Sequence, residues 1–262
     1  MSLQLLRDQN ITRTRFVQAA VRRAYPFGKI RAVHRGRLKG IQFRVASGMG
    51  FTYAWAIGVE QWDFSGLIQP GMSVYDIGAN CGQSTLHLAM LVGKSGRVVA
   101  FEPVECLFAN LVFNLELNSL LQVTPVCAAA SERKGDLNFL FNDGAATQGR
   151  LVDVEPSHTL SDATTISVRA VRLDDYALEG WPAPQFLKID VEGGARAVLR
   201  GAEGLLTNHR PMIYIELHGP EEQEAVCDLL TTFRYKAKTL SGSEVKDPSA
   251  GWFSPLVLSS RD

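Results

Sequence analysis

The run Val74-Tyr-Asp-Ile-Gly-Ala-Asn-Cys-Gly82, with Glu102 twenty positions beyond it, constrains this chain more than any other feature. An apolar stretch ends on Asp76, small residues with Gly78 and Gly82 turn the chain, and Ser84 to Val92 has helical apolar spacing. The next apolar stretch, Val98-Val-Ala-Phe, ends on Glu102-Pro103. Strand, glycine turn, helix and strand in this order predict a nucleotide-binding βαβ unit, with the helix N-terminus facing what the turn holds. An acid at the second strand tip is placed to accept hydrogen bonds from a ribose diol, worth roughly 1.5–3 kcal/mol when one partner is charged. A cofactor with an adenosine end is therefore expected.

Which cofactor follows from how the turn departs from the dinucleotide pattern. A G-x-G-x-x-G turn lets pyrophosphate approach the backbone. Here the strand ends in a carboxylate and the glycines fall as Gly78-x-x-x-Gly82, so the pyrophosphate seat is missing. A carboxylate at that point repels a diphosphate but suits a positive amine and sulfonium, which points to S-adenosylmethionine. An ordinary tight strand-to-helix turn is the bland alternative, and Glu102 at its spacing weighs against it.

A second cluster repeats the design. Phe186-Leu-Lys-Ile-Asp190-Val-Glu192-Gly-Gly is an apolar run ending in acids and a glycine pair, and Ala195 to Leu206 has helical spacing through Val198, Leu199, Ala202 and Leu205. Met212-Ile-Tyr-Ile-Glu216-Leu-His218 ends in the same way. Ligands of open α/β sheets bind beyond the strands' carboxyl ends, so Asp76, Glu102, Asp190, Glu192, Glu216 and His218 are expected on one edge.

These motifs together resemble the FkbM-type S-adenosylmethionine-dependent methyltransferases. The resemblance runs from about Ile57 through Asp76-Ile-Gly-Ala-Asn-Cys-Gly82, Phe101-Glu-Pro103, Asn114 with Asn118, Ala129-Ala-Ser131 ahead of Gly135, Leu173-Asp-Asp175, Lys188-Ile-Asp-Val-Glu-Gly193, Leu199-Arg-Gly-Ala202, and Pro211 ahead of Glu216. It implies an α/β fold: a Rossmann-like class I methyltransferase sandwich, with a mostly parallel seven-stranded sheet, a C-terminal antiparallel hairpin and a small N-terminal helical/β extension. It further implies methyl transfer to a hydroxyl of a sugar, glycolipid or secondary metabolite. Cofactor contacts are expected from Asp76, Gly78, Ala79, Asn80, Gly82 and Ser84 around the turn, and from Glu102 and Pro103 at the second strand tip. Ala128 and Ala129 are expected against the adenine, and Asp190 at the methionine end. Gly58-Val-Glu60 looks like the family's Gly-x-Glu element, which adds Glu60. One departure concerns the acceptor side, where a glutamate usually follows Asp-x-Glu-Gly shortly and this chain has Gly194-Ala195-Arg196.

Length and composition suit one such domain. A chain of 262 residues, 46% hydrophobic, can bury a large single core. No apolar run is long enough to span a bilayer, and the first residues lack the apolar stretch and cleavage site of a secretory signal. Cys81, Cys106, Cys127 and Cys227 show no C-x-x-C spacing and read as reduced thiols of a cytoplasmic protein without a zinc site. No interleaving of aromatic and basic residues suggests a nucleic-acid partner. Self-association is left open.

The zero net charge hides a segregation. Up to Arg44 there are eleven Lys or Arg against one acid, Asp8, which leaves sixteen basic and twenty-six acidic residues for the remainder. Residues 1–50 read as a basic extension and 51–262 as the cofactor-binding domain. Phe16, Val17, Ala20, Val21 and Ala24 recur at helical spacing among arginines, predicting an amphipathic basic helix. It either docks on the acidic domain or draws in an anionic acceptor or lipid surface through a peripheral contact. Residues 142–165, rich in Gly, Pro, Ser and Thr, read as a long loop of the lid type.

Methyl transfer requires alignment of oxygen, carbon and sulfur, and removal of the hydroxyl proton. His218 is the first candidate base, because an ordinary imidazole is largely neutral at pH 7. Glu216 could hold its tautomer if the backbone brings it round. Asp190 either meets the cofactor ammonium or joins Glu192 and Glu216 around Mg²⁺; the metal-free version is preferred, since one carboxylate pair with another use is thin ground for a dedicated site. Three rivals stay open: an N-methyltransferase of a small molecule, an NAD-dependent oxidoreductase that shares Glu102, and a non-catalytic binding module on the same fold.

Overall fold

All five residues of β3 (Ser73–Ile77) are buried, the pattern of a strand covered on both faces, and β3 sits inside the main sheet. The computed structural model describes residues 23, 26–45, 63–141, 149–151, 164–251 and 254–260. From β3 the chain runs outward through β4 (Arg97–Phe101) and β5 (Val123–Val126), each added in parallel. It then returns to the other side of β3 with β10 (Phe186–Ile189) and β11 (Met212–Ile215), also parallel. The crevice at the carboxyl ends of β3 and β10 is therefore a topological switch point.

Three further strands close the sheet. β14 (Leu256–Ser260) pairs antiparallel with both β11 and β12 (Tyr235–Thr239), and β13 (Glu244–Val245) adds to the outer edge of β12. The order is β13-β12-β14-β11-β10-β3-β4-β5, eight strands among the described residues where the sequence pattern predicts seven. The extra strand is two residues long, below the length at which alternation is readable.

Alternation along these strands divides the core. Ile77, Leu187, Ile189, Ile213 and Ile215 point to one face, whereas Val74, Val98, Ala100, Phe186 and Tyr214 point to the other. The second face is covered by α1 (Gln83–Val92) and by a hairpin of β1 (Ile30–Ala32) and β2 (Gln42–Arg44), whose Val33, Leu38, Ile41, Phe43 and Val45 join the same core. Asn114 and Asn118 of α2 (Glu105–Leu117) bond to the β2 backbone at Arg44 and Gln42. Residues 26–45 of the basic extension therefore share their core with the domain; of the basic helix, Arg23 alone is among the described residues, helical and exposed.

A second sheet, in the order β6-β9-β7-β8, stands beside the first. It comprises β6 (Ala129–Ala130), β7 (Gly135–Phe141), β8 (Gly149–Leu151) and β9 (Thr164–Val171). Apart from β8 and the start of β9, the expected lid segment lies outside the described residues.

The spacing from Ala195 to Leu206 predicts one helix, and the structure has two, α4 (Ala195–Arg200) and α5 (Glu203–Asn208). Gly201 packs so closely on the chain after β6 that a Cβ there would lie 2.0 Å from the Ser131 carbonyl oxygen. Asp174, in the first turn of α3 (Leu173–Leu178), accepts the N–H groups of Gly204 and Leu205 and so starts the second helix. Apolar spacing continues through the break because both helices bury the same face. The last helix, α6 (Pro220–Thr232), opens with Pro220, Glu221 and Glu222, a composition that suits a helix N-terminus.

Candidate active site

The turn after β3 is held from three sides. Gly78 and Ala79 donate to the Phe101 carbonyl, and Asn114 of α2 donates to the Cys81 carbonyl at 2.8 Å. Gly78 (φ 82°) passes so close to the chain after β10 that a Cβ would meet the Asp190 carbonyl oxygen at 2.0 Å. Only glycine fits there. Gly82 (φ 92°) begins α1 with its Cα facing Leu111, and Asn80 takes the left-handed conformation at φ 51°.

Glu102 is the acid this scaffold presents. Only 4% exposed, it accepts the Asn80 N–H at 2.8 Å on one oxygen and the Val104 N–H at 2.9 Å on the other. Burial pushes its pKa up to about 7 against the pull of these two donors. Each oxygen keeps a lone pair for a further donor.

The carboxyl edge opens into a cleft of about 690 Å³, counting the solvent at its mouth. Its apolar lining comes from Ile77, Phe101, Val104, Leu107, Ala128–Ala130, Phe139, Phe141, Val191 and Val198. Its polar side chains are Asn80, Glu102, Asp190 and Glu192. No Lys, Arg or His is among the described lining residues, which suits a cationic ligand and not a diphosphate.

Beside the cavity lies a network of charge. Lys188 and Asp76 are cross-strand neighbours of β10 and β3, 1% and 0% exposed at their side chains, with Nζ 3.4 Å from Asp76 Oδ1 and 3.2 Å from Asp190 Oδ2. Burial opposes the charge on Lys188, but the Asp190, Asp76 and Glu216 carboxylates outweigh it and raise the pKa. Burial likewise opposes ionisation of Asp190, yet Lys188 and His218 hold its pKa down to about 2. His218 Nε2 lies 3.0 Å from Asp190 Oδ1, and Nδ1 lies 3.6 Å from Glu192 Oε2. Burial lowers the imidazole pKa, and the hydrogen bond to Asp190 with the charges of Glu192, Asp190 and Glu222 carries it up to about 9.

Several sequence expectations change here. Asp76 does not line the cavity: its Oδ2 accepts the Ser84 and Thr85 hydroxyls, and its other oxygen faces Lys188. Ser84 is thus the prop of Asp76, Ala79 is buried in the core, and Gly82 serves the approach of α2; none of the three lines the cavity. His218 is charged at neutral pH, not neutral, because carboxylates face both ring nitrogens. Glu216 accepts the Tyr214 hydroxyl at 3.2 Å, and the carboxylate 3.0 Å from the imidazole Nε2 is Asp190, at the tip of the adjacent strand. At the position where the family pattern departs, Ala195 is fully buried and its N–H donates to Glu222 of α6. Glu60 lies outside the described residues.

Phe139 and Phe141, absent from the sequence-derived site, come from the second sheet, and their signal was the period-two run Leu137-Phe139-Phe141. Val104 and Leu107 carry no motif and enter because α2 starts at the rim of the cavity.

Switch-point crevice, glycine turn and acid at the second strand tip define the Rossmann-like class I methyltransferase fold. The methyltransferase FkbM domain model matches residues 76–239, and the chain belongs to that family. A hexuronic acid methyltransferase of Haloferax volcanii is 26% identical over 159 residues, 60% of this chain and 61% of that protein. A protein-L-isoaspartate O-methyltransferase of Triticum aestivum is 35% identical over 77 residues, 29% of this chain and 30% of that protein. The chain thus spans about three-fifths of the first of these relatives and under a third of the second. The structure of methyltransferase FkbM from Methylobacillus flagellatus shares the fold with a TM-score of 0.51 at 19% identity, over 74% of this chain and 45% of that one.

Proposed function

We propose that this chain transfers a methyl group from S-adenosylmethionine to a hydroxyl of a sugar, glycolipid or secondary metabolite. The observation that carries the reading is Glu102, a buried carboxyl fixed by two backbone N–H groups on the wall of a cavity lined by apolar side chains and by further carboxylates. The cofactor's parts fit this lining. Ala128, Ala129, Phe139 and Phe141 wall the space for the adenine, Glu102 accepts the ribose hydroxyls, and Asp190 with Glu192 faces the cationic methionine end.

When bound, S-adenosylmethionine supplies an electrophilic methyl group on a sulfonium. The chain's own residues align the acceptor oxygen against it, which is worth roughly 7–11 kcal/mol, and exclude water with the apolar wall. The described ionisable groups of the cavity lining are Glu102, Asp190 and Glu192. Of these Glu192 is the group on hand for the hydroxyl proton, since Lys188 and His218 hold the Asp190 pKa down to about 2.

Two observations support a sugar acceptor with an anionic group. One is the name of the Haloferax volcanii relative, which acts on a hexuronic acid. The other is the segment 26–45, which holds six Lys or Arg and no acid, with Phe27 and Ile30 exposed. Calorimetry with S-adenosylhomocysteine and with NAD tests the cofactor: binding of the first alone is expected, and binding of NAD alone overturns the reading. A screen of hexuronic acids, other sugars, glycolipids, polyketides and amines with radiolabelled methyl donor, with and without EDTA, tests the acceptor. Label on an amine favours N-methylation, loss of label with EDTA favours the Mg²⁺ alternative, and label on nothing favours a binding module.

A further inference from the structure

His218 is engaged at both ring nitrogens, by Asp190 Oδ1 at 3.0 Å and Glu192 Oε2 at 3.6 Å. A neutral imidazole carries one N–H and can serve only one of two carboxylates as donor, whereas the imidazolium serves both. The residue's backbone is anchored as well, since its N–H donates to Glu222 at the start of α6. The ring stays outside the cavity lining, while Asp190 and Glu192 both belong to it. A proton acceptor for the substrate needs a nitrogen within reach of the reacting oxygen. Here both nitrogens point at carboxylates.

Building on the reading of the cavity as an S-adenosylmethionine site, we propose that His218 is a positioning residue. It is a cationic clamp that fixes Asp190 and Glu192 against the cavity, and it does not take the proton of the acceptor. The groups facing it are Asp190 at the tip of β10, Glu192 in the following turn and Glu222 of α6, with Lys188, Asp76 and Glu216 behind Asp190. One cation in contact with two carboxylates lowers their mutual repulsion and leaves a net negative surface towards the ligand. The clamp exists in the protonated state, so it is intact at neutral pH and opens as pH rises through about 9. A general base would behave in the opposite way and fail as pH falls through its pKa.

Nuclear magnetic resonance of protein labelled with ¹⁵N-histidine tests this between pH 5.5 and 10, with His218 assigned by the signal lost in His218→Gln. The expected result is a doubly protonated ring at pH 7.5 that titrates near 9. In Glu192→Gln the titration should move down by half a unit or more, which keeps the test open should His218→Gln not fold. At pH 7.5 both variants are expected to bind S-adenosylhomocysteine five- to tenfold more weakly than the unmodified chain. A ring that carries one proton at pH 7.5 and titrates below 7, or unchanged affinity in both variants, overturns the clamp. Failure of the unmodified chain to bind S-adenosylhomocysteine, with His218 titrating near 9, removes the cofactor reading and leaves the clamp in place.

Discussion

At the tips of β3 and β4 the backbone does the positioning, whereas at the tips of β10 and β11 charge does. On the first side, glycines at 78 and 82 let three chain segments meet, and a single acid is fixed by two N–H groups. On the second side, Lys188, Asp190, Glu192 and His218 hold one another through their charges. Backbone positioning defines a shape. Charge positioning depends on protonation, so it can be dismantled one proton at a time. The same cavity therefore has a half set by shape and a half set by sign.

The largest separation of the two halves should come from Lys188→Met. It leaves Asp76 fully buried opposite a thioether, and stripping one partner from such a pair destabilises by about 3–5 kcal/mol. Urea unfolding should show this loss, and adding Asp76→Asn should recover much of it; full stability in the single variant would mean that the charges are not what joins β3 to β10.

Next in size is pH. The Glu102 pKa is raised from 4.5 to about 7 on folding, so its contribution is complete below 4.5 and disappears as pH climbs through 7. The His218 pKa is raised from 6.5 to about 9, so its contribution is complete below 6.5 and disappears as pH climbs through 9. With one pKa unit equal to about 1.4 kcal/mol, each window holds at most about 3.5 kcal/mol. Stability measured against pH should flatten between 4.5 and 7 in Glu102→Gln, and between 6.5 and 9 in His218→Gln. A single window shared by both variants would merge the two halves.

Glu102→Ala should weaken S-adenosylmethionine binding by about ten- to a hundredfold, the value of roughly 1.5–3 kcal/mol for a charge-assisted bond, and leave the circular dichroism spectrum unchanged. Affinity equal to that of the unmodified chain would detach Glu102 from the ribose. The smallest effect belongs to Arg196→Ala. The guanidinium lies 2.7 Å from Asp228 and 3.5 Å from Glu224 on α6, but these partners are 68% and 73% exposed, so the change should stay below about 1 kcal/mol. A larger loss would show that charge positions the α4–α6 contact too.

The half built from backbone was the more legible in the sequence, because glycine spacing and an acid at a fixed distance are local patterns. Gly78, Asn80, Glu102 and Pro103 line the cavity as their spacing suggests. Asp76 and Ser84 lie off the cavity lining for a physical reason. A strand tip with an acid looks the same whether the carboxylate faces a ligand or a buried lysine, and the lysine sits 112 positions later on another strand. His218 was read from the pKa of a free imidazole, and only the fold shows which carboxylates surround it. Phe139 and Phe141 went unassigned because their strand belongs to a separate sheet, and nothing local says that this sheet leans on the cavity. The break at Gly201 was hidden likewise, since the contact that causes it is with Ser131.

The place of β14 has a consequence for how such a chain is completed. β11 and β12 are consecutive strands, yet they never touch; the strand between them is supplied from residues 256–260. A chain emerging from the ribosome as far as residue 250 can align its five parallel strands, but the β12–β13 pair has no strand to join it to β11. Two open ladders then wait for one short segment. Until it arrives, these exposed edges are the surfaces through which a nascent copy could pair with a neighbour or engage a chaperone.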